Sequence, residues 1–216
     1  MTEHNIFQEI DEDLQRQKLE ALWKRYGIFV IALAIAIVLA TAGINAWQNW
    51  HRDRAQTATA ALVDLLNTDS TNQNQQIENL NHFADTNSLL TQATLARLNA
   101  AALALQSGKQ EEAIKIYETI SDDVHADTAL RQLAELRSIE IQLSTGDIEL
   151  LLKRLEPLAD ENAPWHFTAQ EYQGYLALRA GDKVKARRLF MSLSQNARAP
   201  HTMSQRANDI LHSISE

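Results

Sequence analysis

The sequence predicts an all-α protein in which a single N-terminal transmembrane helix is followed by an α-solenoid of helical hairpins. Residues 27–46, GIFVIALAIAIVLATAGINA, contain no charged side chain. About 20 helical residues cover roughly 30 Å, the hydrocarbon thickness of a bilayer. Beyond this run, three glycines end Ala- and Leu-rich stretches at intervals of 38 and 35 residues, which indicates a repeated helical unit. Only six glycines and three prolines occur in 216 residues, a composition typical of helical proteins.

The N-terminal segment, residues 1–26, reads as a cytoplasmic juxtamembrane amphipathic helix. Phe7, Ile10 and Leu14 recur at three- and four-residue steps, and acidic residues lie mainly on the other side. Such a helix is either a docking element for a cytoplasmic partner or a solvated lead-in to the membrane helix.

The uncharged run, residues 27–46, is predicted to span a membrane. Aromatic residues flank it at both ends, where the headgroup regions favour them: Trp23, Tyr26, Trp47 and Trp50. Four basic residues precede the run within a short distance and two follow it, which predicts a cytoplasmic N-terminus and an external C-terminal domain. A cleaved secretory signal ending near Ala40–Ala42 and a buried helix of a soluble core are the alternatives. The six acidic residues of the preceding tail favour a retained anchor over a cleaved signal.

Small residues recur along the predicted span at helical spacing, namely Ala32, Ala36, Ala40 and Gly43. Because packing drives helix association in lipid, such a stripe lets a second membrane helix approach closely. Alanine is also common in any span, so the stripe has an ordinary explanation as well.

Residues 47–87 are predicted to form a helical connector. The membrane helix continues to about Leu66, and a run of Asn, Thr, Asp and Ser ends it, because these side chains compete for backbone hydrogen bonds. A short helix from Gln73 to Ala84 then buries Ile77, Leu80 and Phe83.

Residues 88–216 are predicted to form the repeat domain. Its hairpins pair 88–106 with 110–121, 126–144 with 148–158, and 165–180 with 183–195, and a last helix over 201–214 caps the stack. Gly108, Gly146 and Gly181 lie between the paired helices, and each is expected to adopt the left-handed conformation that ends a helix.

Small and aromatic residues recur at matching places in two of the hairpins. The first has Ala101, Ala104, Ala113 and Tyr117, and the third has Gly174, Ala177, Ala186 and Phe190. This pattern resembles tetratricopeptide repeats, in which a small residue marks the close crossing of two helices. The middle hairpin departs from the pattern, with Ile139, Gln142, Leu151 and Leu155, so its packing should be wider or tilted. An unrelated antiparallel helical array is the alternative.

Composition and motifs predict a chain that is not an enzyme and uses no cofactor or metal. The net charge of −8 argues against nucleic acid, and the absence of cysteine removes thiolate chemistry and cysteine-based zinc sites. No phosphate-binding loop, GxSxG elbow or HExxH pair occurs. The best metal candidate, His125 and Asp127 beside Asp122 and Asp123, lies in an inter-repeat loop, where acidic residues usually cap helices.

The resemblance to tetratricopeptide repeats implies a protein-binding surface lined by the first helix of each hairpin. Counting from the matching small residues, this surface would include Leu98, Ala102, Leu136, Glu140, Glu171 and Tyr175. Some of these residues could instead fill the core between repeats.

The layout as a whole, with Lys24-Arg25-Tyr26-Gly27 entering the span and two tryptophans at its exit, resembles the YfgM-like family of ancillary SecYEG translocon subunits. The resemblance implies a single-pass protein of the bacterial inner membrane with a periplasmic repeat domain. It also implies protein partners: the translocon, a membrane-bound chaperone of the prolyl-isomerase class and emerging clients. A structural or regulatory scaffold in envelope assembly, cell division or stress signalling is the alternative function.

Overall fold

The regular structure of the described residues is helical throughout, as predicted. The computed structural model describes residues 3–67 and 72–215. These residues form α1 (Glu3–Asn67), α2 (Gln73–Thr86), α3 (Thr91–Gln106), α4 (Gln110–Asp122), α5 (Thr128–Gln142), α6 (Ile148–Leu155), a 3₁₀ turn (Glu156–Leu158), α7 (His166–Arg179), α8 (Lys183–Gln195) and α9 (His201–Ser215). The chain divides into two compact units, Met1–Gln56 and Thr57–Glu216.

The first unit consists of the N-terminal part of α1. Large apolar side chains between Ile28 and Trp50 are more than half exposed wherever they are described. Among the residues that the structure describes, no helix combines the length and apolarity needed to cross a membrane. The side chains of five residues in the predicted span at 27–46, Ala32 of the small-residue stripe among them, lie outside the part of the chain that the structure describes. The side chains of the juxtamembrane segment 1–26 also lie outside it.

The second unit begins with the C-terminal end of α1 and the connector helix α2. Asn72 caps α2 because its side-chain oxygen accepts hydrogen bonds from the backbone N–H groups of Asn74, at 3.0 Å, and Gln75, at 3.4 Å. Ile77, Leu80 and Phe83 are buried, as predicted. They join a core that also contains Ala58 and Leu62 of α1.

Most consecutive helices of the second unit pack against each other: α2 on α3, α3 on α4, α4 on α5, α7 on α8 and α8 on α9. The crossings of the first and third hairpins are lined by small residues that are fully buried, namely Ala101, Ala104, Ala113 and Ala186. At Gly174, an added Cβ would lie 2.6 Å from Cζ of Phe190. The predicted close crossing is therefore present in both hairpins.

Two of the three repeat glycines end their helices as predicted. Gly108 and Gly181 have φ values of 76° and 79°, in the left-handed region that glycine tolerates. The residue after each glycine donates its N–H to the carbonyl five positions back, Lys109 to Ala104 and Asp182 to Ala177, both at 2.9 Å. This bond is the one that closes a Schellman motif.

The prediction of a left-handed Gly146 is wrong. Positive φ values among the described glycines occur only at Gly108 and Gly181. Gly146 is needed for space instead, since an added Cβ would lie 2.9 Å from the carbonyl oxygen of Gln142 and 3.0 Å from Cδ1 of Leu151. Helix α5 also ends at Gln142, two residues before the predicted end at 144.

The middle hairpin is wider than the other two. Helices α5 and α6 approach each other less closely than α3 and α4 or α7 and α8, because Ile139, Leu151 and Leu155 fill the crossing where the other hairpins have small residues. Arg154 of α6 spans the gap and donates to both carboxylate oxygens of Glu135, at 2.7 and 3.0 Å. The predicted wider packing is thus confirmed.

Candidate protein-binding surface

A groove of about 550 Å³ lies between α3 and α5. Leu98, Ala102 and Leu105 occupy one face of α3 at four- and three-residue steps, and Leu133, Arg137, Glu140 and Ile141 face them from α5. Tyr117 of α4 lines the groove between these helices. Ala102, between the two leucines, is a small residue on this helical stripe and lines the groove with them.

The charged groups of the groove are paired with each other. Nη1 of Arg137 lies 2.8 Å from Oε2 of Glu140, one turn further along α5. This hydrogen bond raises the pKa of the Arg137 guanidinium. Burial raises the pKa of the Tyr117 phenol, which the nearby positive charge of Arg137 partly offsets. The groove therefore offers apolar contacts and hydrogen bonds without a net charge.

Tyr172 of α7 interacts with Glu140, one of the residues that line the groove. Burial raises the pKa of its phenol, and the negative charge of Glu140 raises it further. Tyr172 therefore stays protonated at neutral pH and is a donor beside Glu140.

The six predicted lining residues lie in three places. Leu98, Ala102 and Glu140 line the groove. Leu136 is buried in the core of the middle hairpin. Glu171 and Tyr175 belong to a separate charged cluster on α7 that includes a residue of α9.

The charged cluster is built on Glu171, whose exposed fraction is only 3%. Arg206 of α9 donates from Nε and Nη2 to its two carboxylate oxygens, both at 2.8 Å, and the Tyr175 hydroxyl donates to Oε1 at 3.2 Å. The paired carboxylate raises the pKa of Arg206. This ion pair connects α9 to α7, so Glu171 is committed to a contact within the domain.

Sequence reasoning did not identify several residues of the groove, namely Leu105, Leu133, Arg137 and Ile141. Leu105 follows Leu98 by seven residues, so the helical stripe was a usable signal. Tyr117 was assigned to packing at the hairpin crossing, and it also lines the groove. The α5 residues carry no such signal, because their contribution depends on how α5 packs beside α3.

Two acidic residues of the candidate metal group, Asp127 and Asp123, accept hydrogen bonds from nearby backbone N–H groups. Oδ1 of Asp127 accepts from the backbone N–H groups of Ala129 and Leu130 at the start of α5. Oδ1 of Asp123 accepts from the N–H of His125 at 3.0 Å.

The described part of the small-residue stripe has an open surface. Ala36, Ala40 and Gly43 are exposed, and a Cβ added at Gly43 would meet no atom within 4 Å. The stripe therefore leaves backbone accessible along one side of α1, as close packing of a second helix requires.

Comparison with known proteins identifies a matching family model, described as a tetratricopeptide repeat-like domain, over residues 20–208. The chain is also 24% identical over 196 residues to a protein of Aggregatibacter actinomycetemcomitans named ancillary SecYEG translocon subunit. That alignment covers 88% of this chain and 92% of the relative. No solved structure matches the chain.

Proposed function

Because the chain belongs to the tetratricopeptide repeat-like domain family, we propose that it is a membrane-anchored protein-binding scaffold that accompanies a SecYEG-type translocon. The family match and the relative together confirm the resemblance to YfgM-like proteins. The repeat-like fold and the name of the relative point to a protein-binding role without catalysis. The association with the translocon is carried over from the relative, whose own name states it.

The groove between α3 and α5 is the main structural support for a protein-binding function. It exposes leucine and isoleucine side chains, and its one ion pair is internal. A helix or extended segment with apolar side chains would bury this surface without leaving a charge unpaired. The chemistry of the groove therefore fits an apolar stretch of polypeptide, such as a partner's helix or an emerging client.

The membrane anchor is supported by the apolar surface of α1. Between Ile28 and Trp50 the large apolar side chains are exposed wherever they are described, including Leu39 and Ile44. A helix that is apolar all round is stable when lipid or protein covers it. The excess of basic residues before the span supports a cytoplasmic N-terminus and, in this proposal, a periplasmic repeat domain at the bacterial inner membrane.

In this proposal the two units bind different partners. The small-residue stripe of α1 contacts membrane helices of the channel, and the groove holds a soluble partner, either a membrane-bound chaperone or a client awaiting handover. Replacing residues 28–45 with a poly-leucine span should therefore weaken co-purification with the channel. Deleting residues 88–216 should spare the channel and abolish the chaperone contact.

The groove is tested by a matched pair of leucines on α3. Leu105 lines the groove and Leu95 does not, yet both are 39% exposed. We expect Leu105→Glu to reduce co-purification of the soluble partner from mild detergent, because a buried carboxylate without a partner opposes binding. Leu95→Glu is the control and should bind normally.

Equal binding by the two variants would contradict the assignment of the groove. Recovery of cell-division or envelope-assembly proteins without any translocon subunit would favour the alternative scaffold function and remove the secretion role.

A further inference from the structure

The C-terminal part of the repeat domain has a charge opposite to that of the whole chain. Residues 179–206 contain seven Lys and Arg residues and one acidic residue, Asp182, although the chain carries a net charge of −8. Four of the cations lie on the first two turns of α8: Lys183, Lys185, Arg187 and Arg188. The basic residues are thus concentrated on one helix.

The exposed face of α8 has a defined order of side chains. Ala186, Phe190 and Leu193 are fully buried and attach the helix to the domain. At 100° per residue, Val184, Arg188 and Met191 lie on the opposite, outermost line of the helix. Val184 is 74% exposed and Met191 is 50% exposed.

The remaining cations flank this outermost line. By the same helical geometry, Lys185 lies on one side of it, and Lys183 and Arg187 lie on the other. The exposed face, which we call the α8 ridge and define as residues 183, 184, 185, 187, 188 and 191, therefore has two apolar side chains and Arg188 at its crest and further cations along both flanks.

The cations of the α8 ridge have no acidic partner among the residues that the structure describes. Arg187 instead donates from Nη2 to the backbone carbonyl oxygen of Ile214, at 3.4 Å. Lys183 and Lys185 lie in the first turn of α8, where the helix macrodipole disfavours positive charge. Lys183 and Arg187 are also like charges four residues apart, a destabilising spacing. The arrangement opposes helix stability, so folding alone does not account for it.

We propose that the α8 ridge docks the repeat domain onto a bilayer surface containing anionic phospholipids. The Lys and Arg side chains of the ridge would contact lipid phosphates, and Val184 and Met191 would enter the interface between headgroups. This inference goes beyond protein binding, and it uses the proposed anchor only in that the anchor keeps the domain close to lipid.

A lipid surface fits the α8 ridge better than an acidic polypeptide or a second copy of the chain. The ridge is the outer side of a helix and not a groove, so it cannot enclose an extended peptide. A ridge whose exposed apolar side chains lie among cations suits a layered environment in which phosphates lie above acyl chains. Because the rest of the chain is acidic, electrostatic forces would turn α8, and not another face, toward an anionic bilayer.

The absence of cysteine makes a labelling test direct. Val184→Cys places a single thiol on the α8 ridge, and Val124→Cys is the matched control, because Val124 is also a valine with 74% of its side chain exposed. Each full-length variant is labelled with a polarity-sensitive fluorophore and mixed with vesicles of phosphatidylcholine alone or of phosphatidylcholine with phosphatidylglycerol. Flotation of the unlabelled chain with the neutral vesicles tests the anchor separately.

We expect the probe at residue 184 to shift to shorter wavelength only with phosphatidylglycerol, and the probe at residue 124 to stay unchanged. The shift should disappear at high salt and be largely lost in Lys185→Gln/Arg188→Gln, whose folding is checked by circular dichroism. A spectral shift in anionic vesicles supports lipid docking of the α8 ridge whether or not the chain floats with neutral vesicles. Failure to float with neutral vesicles would contradict only the membrane anchor.

Three results would overturn the proposal. The first is an unchanged probe at residue 184 in anionic vesicles. The second is an equal shift with poly-glutamate in neutral vesicles, which would identify an acidic polypeptide as the occupant. The third is a shift that depends on protein concentration and not on lipid charge, which would identify a second copy of the chain.

Discussion

Gly174→Ala is the substitution that best tests the close crossing of α7 and α8. In most helix interiors, alanine in place of glycine stabilises by about 1 kcal/mol. Here the new Cβ would lie 2.6 Å from Cζ, 2.9 Å from Cε2 and 3.0 Å from Cε1 of Phe190. Phe190 is fully buried, and the centroid of its ring lies 5.5 Å from the centroid of the Tyr175 ring, so the Phe190 ring has little room to move.

The overpacking should cost roughly 1–3 kcal/mol. Combined with the gain in helix propensity, the substitution should be destabilising by about 1 kcal/mol. For a domain of this size, that corresponds to a fall in melting temperature of roughly 2–4 °C. Thermal unfolding of the full chain, followed by circular dichroism, measures the change.

A second variant makes the sign of the effect diagnostic. In a Phe190→Leu background the ring atoms near the new Cβ are absent, so Gly174→Ala should become stabilising by about 1 kcal/mol. A stabilising Gly174→Ala in the wild-type background would refute the close approach. Equal effects in both backgrounds would show that Phe190 is not the cause.

Three further predictions concern packing, pH and topology. Ala186→Leu should destabilise the protein by roughly 1–3 kcal/mol, because Ala186 is fully buried, whereas Ala199→Leu in a loop should have little effect on the melting temperature. The pKa of Tyr172 is raised in the folded state above the ordinary tyrosine value of 10.0. The contribution of Tyr172 to the free energy of unfolding should therefore be complete below pH 10.0 and fall as the pH rises from there toward the folded-state pKa. Tyr172→Phe should reduce this fall in denaturant titrations at alkaline pH, and an unchanged slope would contradict the assignment. Protease added to spheroplasts should digest residues 51–216 and spare an N-terminal epitope, and a protected C-terminal domain would reverse the topology.

Local signals in the sequence determined the helices of the repeat domain. Gly108 and Gly181 ended their helices where expected, because a left-handed glycine cap depends on a few consecutive residues. The burial of Ala113, Ala186 and Phe190 was also predictable, since spacing along a helix determines which side chains share a face.

The tertiary structure decided what each face meets. Helical spacing grouped Leu136 with Glu140, but only the packing of α5 turned Leu136 into the core and left Glu140 in the groove. Glu171 is paired with Arg206, which lies 35 residues away on a helix that no local pattern connects to α7. Gly146 provides space for Leu151 instead of a left-handed turn. Periodicity describes one helix at a time, whereas burial and ion pairing depend on the approach of helices distant in the sequence.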